Sequence, residues 1–274
     1  METDPEDLTL ALELADIAGS ITRGRFLAAD LKVETKPDMT PVTEADTAVE
    51  RALRDRLAEA RPHDAVLGEE FGESAASPSG RRWILDPIDG TKNFVRGIPV
   101  WATLIALQEG ETLTVGVASA PALHRRWWAA RGRGAYVDDG LGSGPRRLRV
   151  SAVSDLADAQ LSISGFSYWE EQGHLDAALA LIRRCWRTRA FGDFWQYMLV
   201  AEGAVDVAAE PVVSLWDLAA PLVIVEEAGG RLTDLGGAAT PAGGDAVATN
   251  GLIHAAALAV VGRRGSGDGV VDSR

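Results

Sequence analysis

The stretch Trp83–Pro99 reads WILDPIDGTKNFVRGIP. Trp83, Ile84 and Leu85 form a short apolar run, aromatic and branched, bounded by Pro and Gly. That composition predicts a buried strand. Pro87 has no N–H to give a ladder, so the chain is expected to leave the sheet at Asp86. Asp86 and Asp89 then stand three apart at a strand end, followed by a Gly90-Thr91 turn. Ligands of open α/β sheets bind outside strand ends, and hard cations such as Mg²⁺ take carboxylate and carbonyl oxygens. Taken alone, Asp-x-x-Asp-Gly equally describes a plain turn, because Asp caps turns and Gly supplies a positive φ.

Upstream, residues 64–68 read as a strand running into Glu69 and Glu70. Beside Asp86 and Asp89 these acids become candidate ligands, since like charges so placed repel unless a cation or proton compensates. Residues 43–60 have helical spacing, with Val49, Leu53 and Leu57 on one stripe, and Thr43 with Asp46 has the spacing of a capping box. Residues 8–28 form an earlier helix and 31–34 a short strand. The segment 73–82 is polar and small and reads as a flexible loop.

Downstream, strands are predicted over 100–107, 112–120, 126–130, 135–137 and 146–150. Strands at 160–164, 186–191, 204–209, 231–235 and 246–249 then alternate with helices at 170–185, 192–203, 214–228 and 252–261. Gly229-Gly230 stops the third of these helices. The alternation indicates an α/β region from about residue 155 onward. The expected organisation is an α+β half over 1–150 that carries the central motif, an α/β half over 151–262, and a disordered tail over 263–274.

The 274 residues are 46% hydrophobic and 24% charged, with a net charge of −13. This is the composition of a soluble globular protein. The acidity argues against nucleic acid as a partner, but not against a small phosphorylated substrate, because a bound cation inverts the local field. Cys185 is the single cysteine, so no intrachain disulfide is possible. The acidic N-terminus lacks the apolar core of a secretory signal, and no apolar run is long enough to cross a bilayer; a cytoplasmic protein is expected. The scattered His63, His124, His174 and His254 read as surface or packing residues. Phosphate-loop, zinc-spacing and Gly-x-Ser-x-Gly motifs are absent.

The string Asp86-Pro-Ile-Asp-Gly-Thr-Lys-Asn-Phe94 resembles the metal-binding signature of the inositol monophosphatase family. Val42-Thr43-Glu44-Ala45-Asp46, Gly68-Glu69-Glu70 and Ser214-Leu215-Trp216-Asp217 complete four segments in that family's order. The resemblance implies an α/β (α+β layered) fold of alternating helix and sheet layers, a commonly dimeric assembly, and a phosphomonoesterase using two or three Mg²⁺ ions. It implies Glu69, Asp86, the Ile88 carbonyl, Asp89 and Asp217 as metal ligands. Glu69 and Thr91, with Asp46 behind Thr91, would orient the attacking water, and the N–H groups of Gly90 and Thr91 would hold the phosphate. Asp217 would also position the leaving-group water. By spacing alone, Asp46 and Asp217 are also the acids of capping boxes begun by Thr43 and Ser214.

Two positions bear on the substrate. Glu210, seven before Asp217, matches a family glutamate that binds a substrate hydroxyl, although a strand-end surface acid reads the same way. Arg189-Ala-Phe-Gly-Asp193 matches a substrate-facing segment, where an acid at 193 suits a cationic substrate or caps a helix. Residues 84–120 and 191–217 resemble the histidinol-phosphate phosphatases of this superfamily, which implies L-histidinol phosphate as substrate. An inositol 1-phosphate or broader sugar or nucleotide phosphatase, and a non-catalytic regulatory member, are the alternatives.

Overall fold

Helix α1 (Pro5–Arg25) starts at Asp4, whose carboxylate accepts from the Glu6 N–H. It leads into a hairpin, β1 (Val33–Thr35) with β2 (Pro41–Thr43), and then α2 (Glu44–Ala60). These elements belong to a computed structural model that describes residues 4–37, 39–74 and 79–262. The tail 263–274 and four residues of the expected 73–82 loop therefore lie outside the described residues.

The first sheet is built from β3 (Ala65–Gly68), β4 (Gly72–Glu73) and β5 (Arg81–Asp89). After the short helix α3 (Thr91–Val95) come β6 (Ala102–Glu109), β7 (Thr112–Ala120), β8 (Arg125–Ala130), β9 (Gly134–Asp138) and β10 (Arg146–Arg147). The eight strands lie in the order β10-β9-β8-β7-β6-β5-β3-β4, with β3 and β5 parallel. The second sheet combines β11 (Gln160–Ile163), reached before α4 (Phe166–Glu171) and α5 (Leu175–Arg184), with β12 (Arg187–Thr188). Helix α6 (Asp193–Ala201), β13 (Val207–Glu210), α7 (Leu215–Glu227), β14 (Arg231–Thr233), β15 (Ala246–Thr249) and α8 (His254–Val261) follow. Its strand order is β12-β11-β13-β15-β14.

Period-2 alternation sorts the side chains into layers. Trp83, Leu85, Ile105 and Val117 face α1 and α2, where Leu14, Leu53 and Leu57 are buried. Ile84, Leu104 and Ala118 face the other way, onto α6 and α7. Ala208, Leu232 and Ala248 of the second sheet close that same core from beyond the two helices. Val207, Ala209 and Val247 point outward to Trp169, Leu181 and Ala257 on α4, α5 and α8. The result is five layers, helix, sheet, helix, sheet, helix, as the motif resemblance implied. His254 is buried between Thr233 and Thr249, 3.0 Å from each hydroxyl, a packing role.

Several expected elements differ. The helix expected over 170–185 is two helices, broken at Gly173, which turns at φ +73°. The strands expected over 186–191 and 146–150 shrink to the two-residue β12 and β10. At Trp186 the indole is exposed rather than packed into a sheet face.

The chain does not leave the sheet at Asp86. β5 continues through Pro87 to Asp89. In the ladder with β6, Asp86 pairs with Leu104 and Asp89 with Ala102, so three steps on one strand oppose two on the other. This is a bulge, a position where a proline's missing N–H is tolerated, and the Pro87 carbonyl accepts from Thr103 Oγ1 at 2.8 Å. The extra residue has a consequence for chemistry. Residues three apart on a regular strand point to opposite faces, whereas the bulge lets both aspartates reach the same side.

Helix α7 lies directly on β7. A Cβ at Gly116 would come within 2.5 Å of the Ala220 carbonyl oxygen, so only glycine permits this approach. We expect Gly116→Ala to cost about 1–3 kcal/mol of stability in chemical denaturation; wild-type stability would show that the two elements are not in firm contact.

Candidate active site

The bulge, the starts of α2 and α7 and the end of β3 bring five acids together. Asp86, Asp89 and Asp217 each offer a carboxylate oxygen within 4.8 Å of the others. Asp46 and Glu69 add their charge to that felt by Asp86.

Each carboxylate except Asp86 is steadied by a specific donor. Asp46 Oδ2 accepts from the Thr43 N–H at 2.7 Å and the Thr43 hydroxyl at 2.6 Å, leaving Oδ1 to face Thr91 Oγ1 at 3.3 Å. Asp217 accepts from the Ser214 N–H at 2.7 Å, and Asp89 from the Phe194 N–H at 2.7 Å. Both capping boxes are therefore formed, and their acids also face the cluster. Glu69 accepts from Lys36 Nζ at 2.7 Å. Asp86 Oδ1 is buried with no hydrogen-bond partner among the described residues.

Such an arrangement is unfavourable for the anions. Burial, and then the charges of Glu69, Asp89, Asp217 and Asp46, push the Asp86 carboxyl well above the usual carboxylate range. Asp89 is raised for the same reasons, with Asp193 and Asp217 as the nearby charges. Burial pushes Asp217 up to about 7. An oxygen-rich site with an unpartnered buried carboxylate oxygen and too much negative charge fits a hard divalent cation. Asp86, Asp89 and Asp217 are the residues best placed to hold one. The Ile88 carbonyl lies on the same bulge and accepts from Thr91 Oγ1 at 3.0 Å.

Three residues with no motif of their own shape the site. Glu50, fully buried one turn after Asp46, accepts from the Glu70 N–H at 2.7 Å and the Phe71 N–H at 3.2 Å. It thereby fixes the Glu69-Glu70 turn. A Cβ at Gly68 would collide with its carboxylate at 2.0 Å. Lys36, beyond β1, bridges Glu69 and Glu70 at 2.7 and 2.8 Å. Burial would lower its pKa, but the two ion pairs drive it well above the usual ammonium range. Burial pushes Glu70 up to about 7 against that pairing. The third is Tyr197, whose hydroxyl donates to Glu210 Oε2 at 2.5 Å. A four-residue step from Asp46 places Glu50 on the same helix face, a signal available in the sequence; Lys36 and Tyr197 carry none.

A cavity of about 280 Å³ opens beside the cluster and shares Asp89 and Asp217 with it. Lys92, Tyr168, Asp193 and Glu210 also line it. Burial pushes Glu210 up to about 8. Burial raises Asp193 as well, opposed by a hydrogen bond from Asn93 and the charge of Lys92. Arg189 does not line this cavity. It is exposed, with its guanidinium on the Thr188 carbonyl at 2.8 Å.

Carboxylates gathered at a bulged strand end, beside the start of a helix and a cavity of small-molecule size, define a cation-dependent phosphatase of layered α/β type. The comparisons give it a family. The sequence matches the inositol monophosphatase family over residues 4–265, and the chain belongs to that family. It is 61% identical over 249 residues to a histidinol-phosphatase of Mycobacterium tuberculosis, covering 91% of this chain and 95% of that one. It is 57% identical to a histidinol-phosphatase of Streptomyces coelicolor, covering 94% and 98%. The solved structure of the extragenic suppressor protein SuhB from Bartonella henselae superposes with a TM-score of 0.85 at 30% identity, over 95% of this chain and 99% of that one. Among the described residues no helix is long and apolar enough to cross a membrane.

Asp217, Glu70 and Glu210 titrate higher in the folded chain than when unfolded, so protonation favours the fold. Their contribution is complete below about pH 4 and is lost as pH rises through 7 to 8. In chelator, the melting temperature should fall between pH 6 and pH 8.5. A divalent cation should restore it, with the larger gain at pH 8.5. Equal gains at both pH values would contradict this electrostatic picture.

Proposed function

We propose that this chain hydrolyses L-histidinol phosphate to L-histidinol and inorganic phosphate. One observation carries the reading: two acids, Asp193 and Glu210, line the cavity that opens from the Asp89–Asp217 edge of the carboxylate cluster. A phosphate ester with its phosphate at the cluster extends its alcohol part toward these two carboxyl groups, which a cation placed beside them holds in the ionised form. An ammonium group gains a charge-assisted hydrogen bond there, and a neutral polyol does not. The two histidinol-phosphatase relatives support the same substrate.

We assign Glu69, Asp86, the Ile88 carbonyl, Asp89 and Asp217 to hold two or three Mg²⁺ ions. When bound, these neutralise phosphate charge and acidify water. The protein's own groups do the rest. Thr91 Oγ1, whose one proton has the Ile88 carbonyl at 3.0 Å and Asp46 Oδ1 at 3.3 Å as acceptors, offers its lone pair to a proton of the attacking water, and Glu69 is that water's second acceptor. Held on these two oxygens, the water approaches phosphorus opposite the ester oxygen and displaces the alcohol. The N–H groups of Gly90 and Thr91, at the start of α3, hold a phosphate oxygen. Asp217, fixed by the Ser214 N–H, orients the water that returns a proton to the leaving alkoxide. Asp193 and the Glu210 oxygen not taken by Tyr197 receive the substrate ammonium. Arg189 has no part in this arrangement. A homodimer belongs to the same reading, on the strength of the family resemblance.

Phosphate release from L-histidinol phosphate and myo-inositol 1-phosphate, side by side, tests the proposal. We expect a preference of at least about 100-fold in kcat/KM for the aminated ester, in line with the value of a hydrogen bond to charge. Chelation should abolish turnover, and Glu69→Gln should lower kcat by about 10²–10⁴. Equal turnover of the two esters would refute the substrate assignment while leaving the carboxylate cluster in place.

A further inference from the structure

We propose that Asn93 is a positioning residue for substrate selection, setting the Asp193 carboxylate so that one oxygen faces the cavity. The inference rests on the reading of Asp193 given above and deepens it. Asn93 Nδ2 donates to Asp193 Oδ2 at 2.7 Å and to the Val100 carbonyl at 2.8 Å. A carbonyl and a carboxylate only accept, so the amide nitrogen must be the atom facing both. Asp193 Oδ2 is thereby occupied. Among the described residues Oδ1 has no hydrogen-bond partner, and the residue lines the cavity.

Asp193 depends on this support. It opens α6 at φ +48°, in the left-handed region that side chains other than glycine seldom adopt. The next residue, Phe194, gives its N–H to Asp89 Oδ2 at 2.7 Å. The central motif thus ties this turn twice, through Asn93 to the carboxylate and through Asp89 to the backbone. Gly90 leaves room for the first tie. A Cβ there would sit 2.9 Å from the Val100 oxygen and 3.5 Å from both Asn93 Nδ2 and Asp193 Oδ2.

The chemistry of the holder matters. A neutral amide orients the carboxylate without cancelling its charge, whereas an Arg or Lys in its place would do both. The nearest candidate cation, Lys92, is held elsewhere. Its Nζ donates to the Tyr168 hydroxyl at 2.7 Å and lies 5.3 Å from the centre of that ring. Among the described residues no ion pair joins Lys92 to Asp193. The carboxylate therefore keeps a charge and an oxygen for a substrate ammonium. Selection for that group is built into the same nine-residue string that gathers the cations.

The test compares kcat/KM for L-histidinol phosphate with that for 3-(imidazol-4-yl)propyl phosphate, the same ester without its amino group. Asn93→Ala, Asp193→Asn and the double variant are measured beside wild type. We expect Asn93→Ala to lower the ratio by roughly 10-fold to 100-fold, mainly through KM for the aminated ester. The double variant should fall no further than Asp193→Asn alone, because both act through one carboxylate. Competitive inhibition by L-histidinol should weaken by a similar factor. Should the alanine variant not fold, Asn93→Leu keeps nearly the same volume, removes the donor without adding charge, and should give the same loss. A ratio in Asn93→Ala within threefold of wild type, or losses that multiply in the double variant, would overturn the role of Asn93. A wild-type ratio near one would overturn the substrate reading itself, and this inference with it.

Discussion

Five carboxylates that repel one another share one crowded, largely buried site, and much of the local structure is arranged to hold them there. Asp46, Asp89 and Asp217 are each fastened by a backbone N–H, from Thr43, Phe194 and Ser214. Glu69 is fastened by Lys36. Asp86 sits at the centre, feels the charge of all four others, and keeps a buried oxygen with no partner among the described residues. Left without a cation, that oxygen bears the full cost of burying an unpaired acceptor. The fold supplies the energy to assemble this cluster from elsewhere, through the apolar cores packed between its five layers.

Helix capping and chemistry are the same interaction here. At Asp46 and Asp217 the capping box holds the carboxylate in place, leaving Asp46 Oδ1 to face Thr91 and Asp217 within reach of Asp86 and Asp89. A residue locked by a cap needs no further ordering when a ligand arrives, which is the economy of placing functional groups on rigid elements. The bulge in β5 works in the same way. One extra residue on the strand turns a spacing that should separate Asp86 from Asp89 into one that brings them together.

The sequence is most legible where chemistry is local. The layered fold follows from the alternation of strands and helices together with the motif resemblance. The capping boxes at Thr43 and Ser214 are visible as three-residue spacings. Pro87 misleads, because a proline without an N–H reads as a strand exit, whereas a bulge accommodates it inside the strand. The break at Gly173 is hidden by apolar residues that keep helical spacing on both sides of it. Long-range partners have no sequence signature at all. Lys36 finds Glu69 across 33 residues, and Asn93 finds Asp193 across 100. Arg189 shows the opposite case: a motif position is matched, but its exposed side chain rests on the Thr188 carbonyl and does not line the cavity.

The central claim is that this acid cluster exists to be neutralised by divalent cations. Anomalous diffraction from crystals grown with Mn²⁺ tests it most directly. We expect at least one strong peak among Asp86, Asp89 and Asp217, with the Ile88 carbonyl within ligand distance. Peaks confined to surface carboxylates, with Asp86 Oδ1 still unpartnered, would contradict the claim.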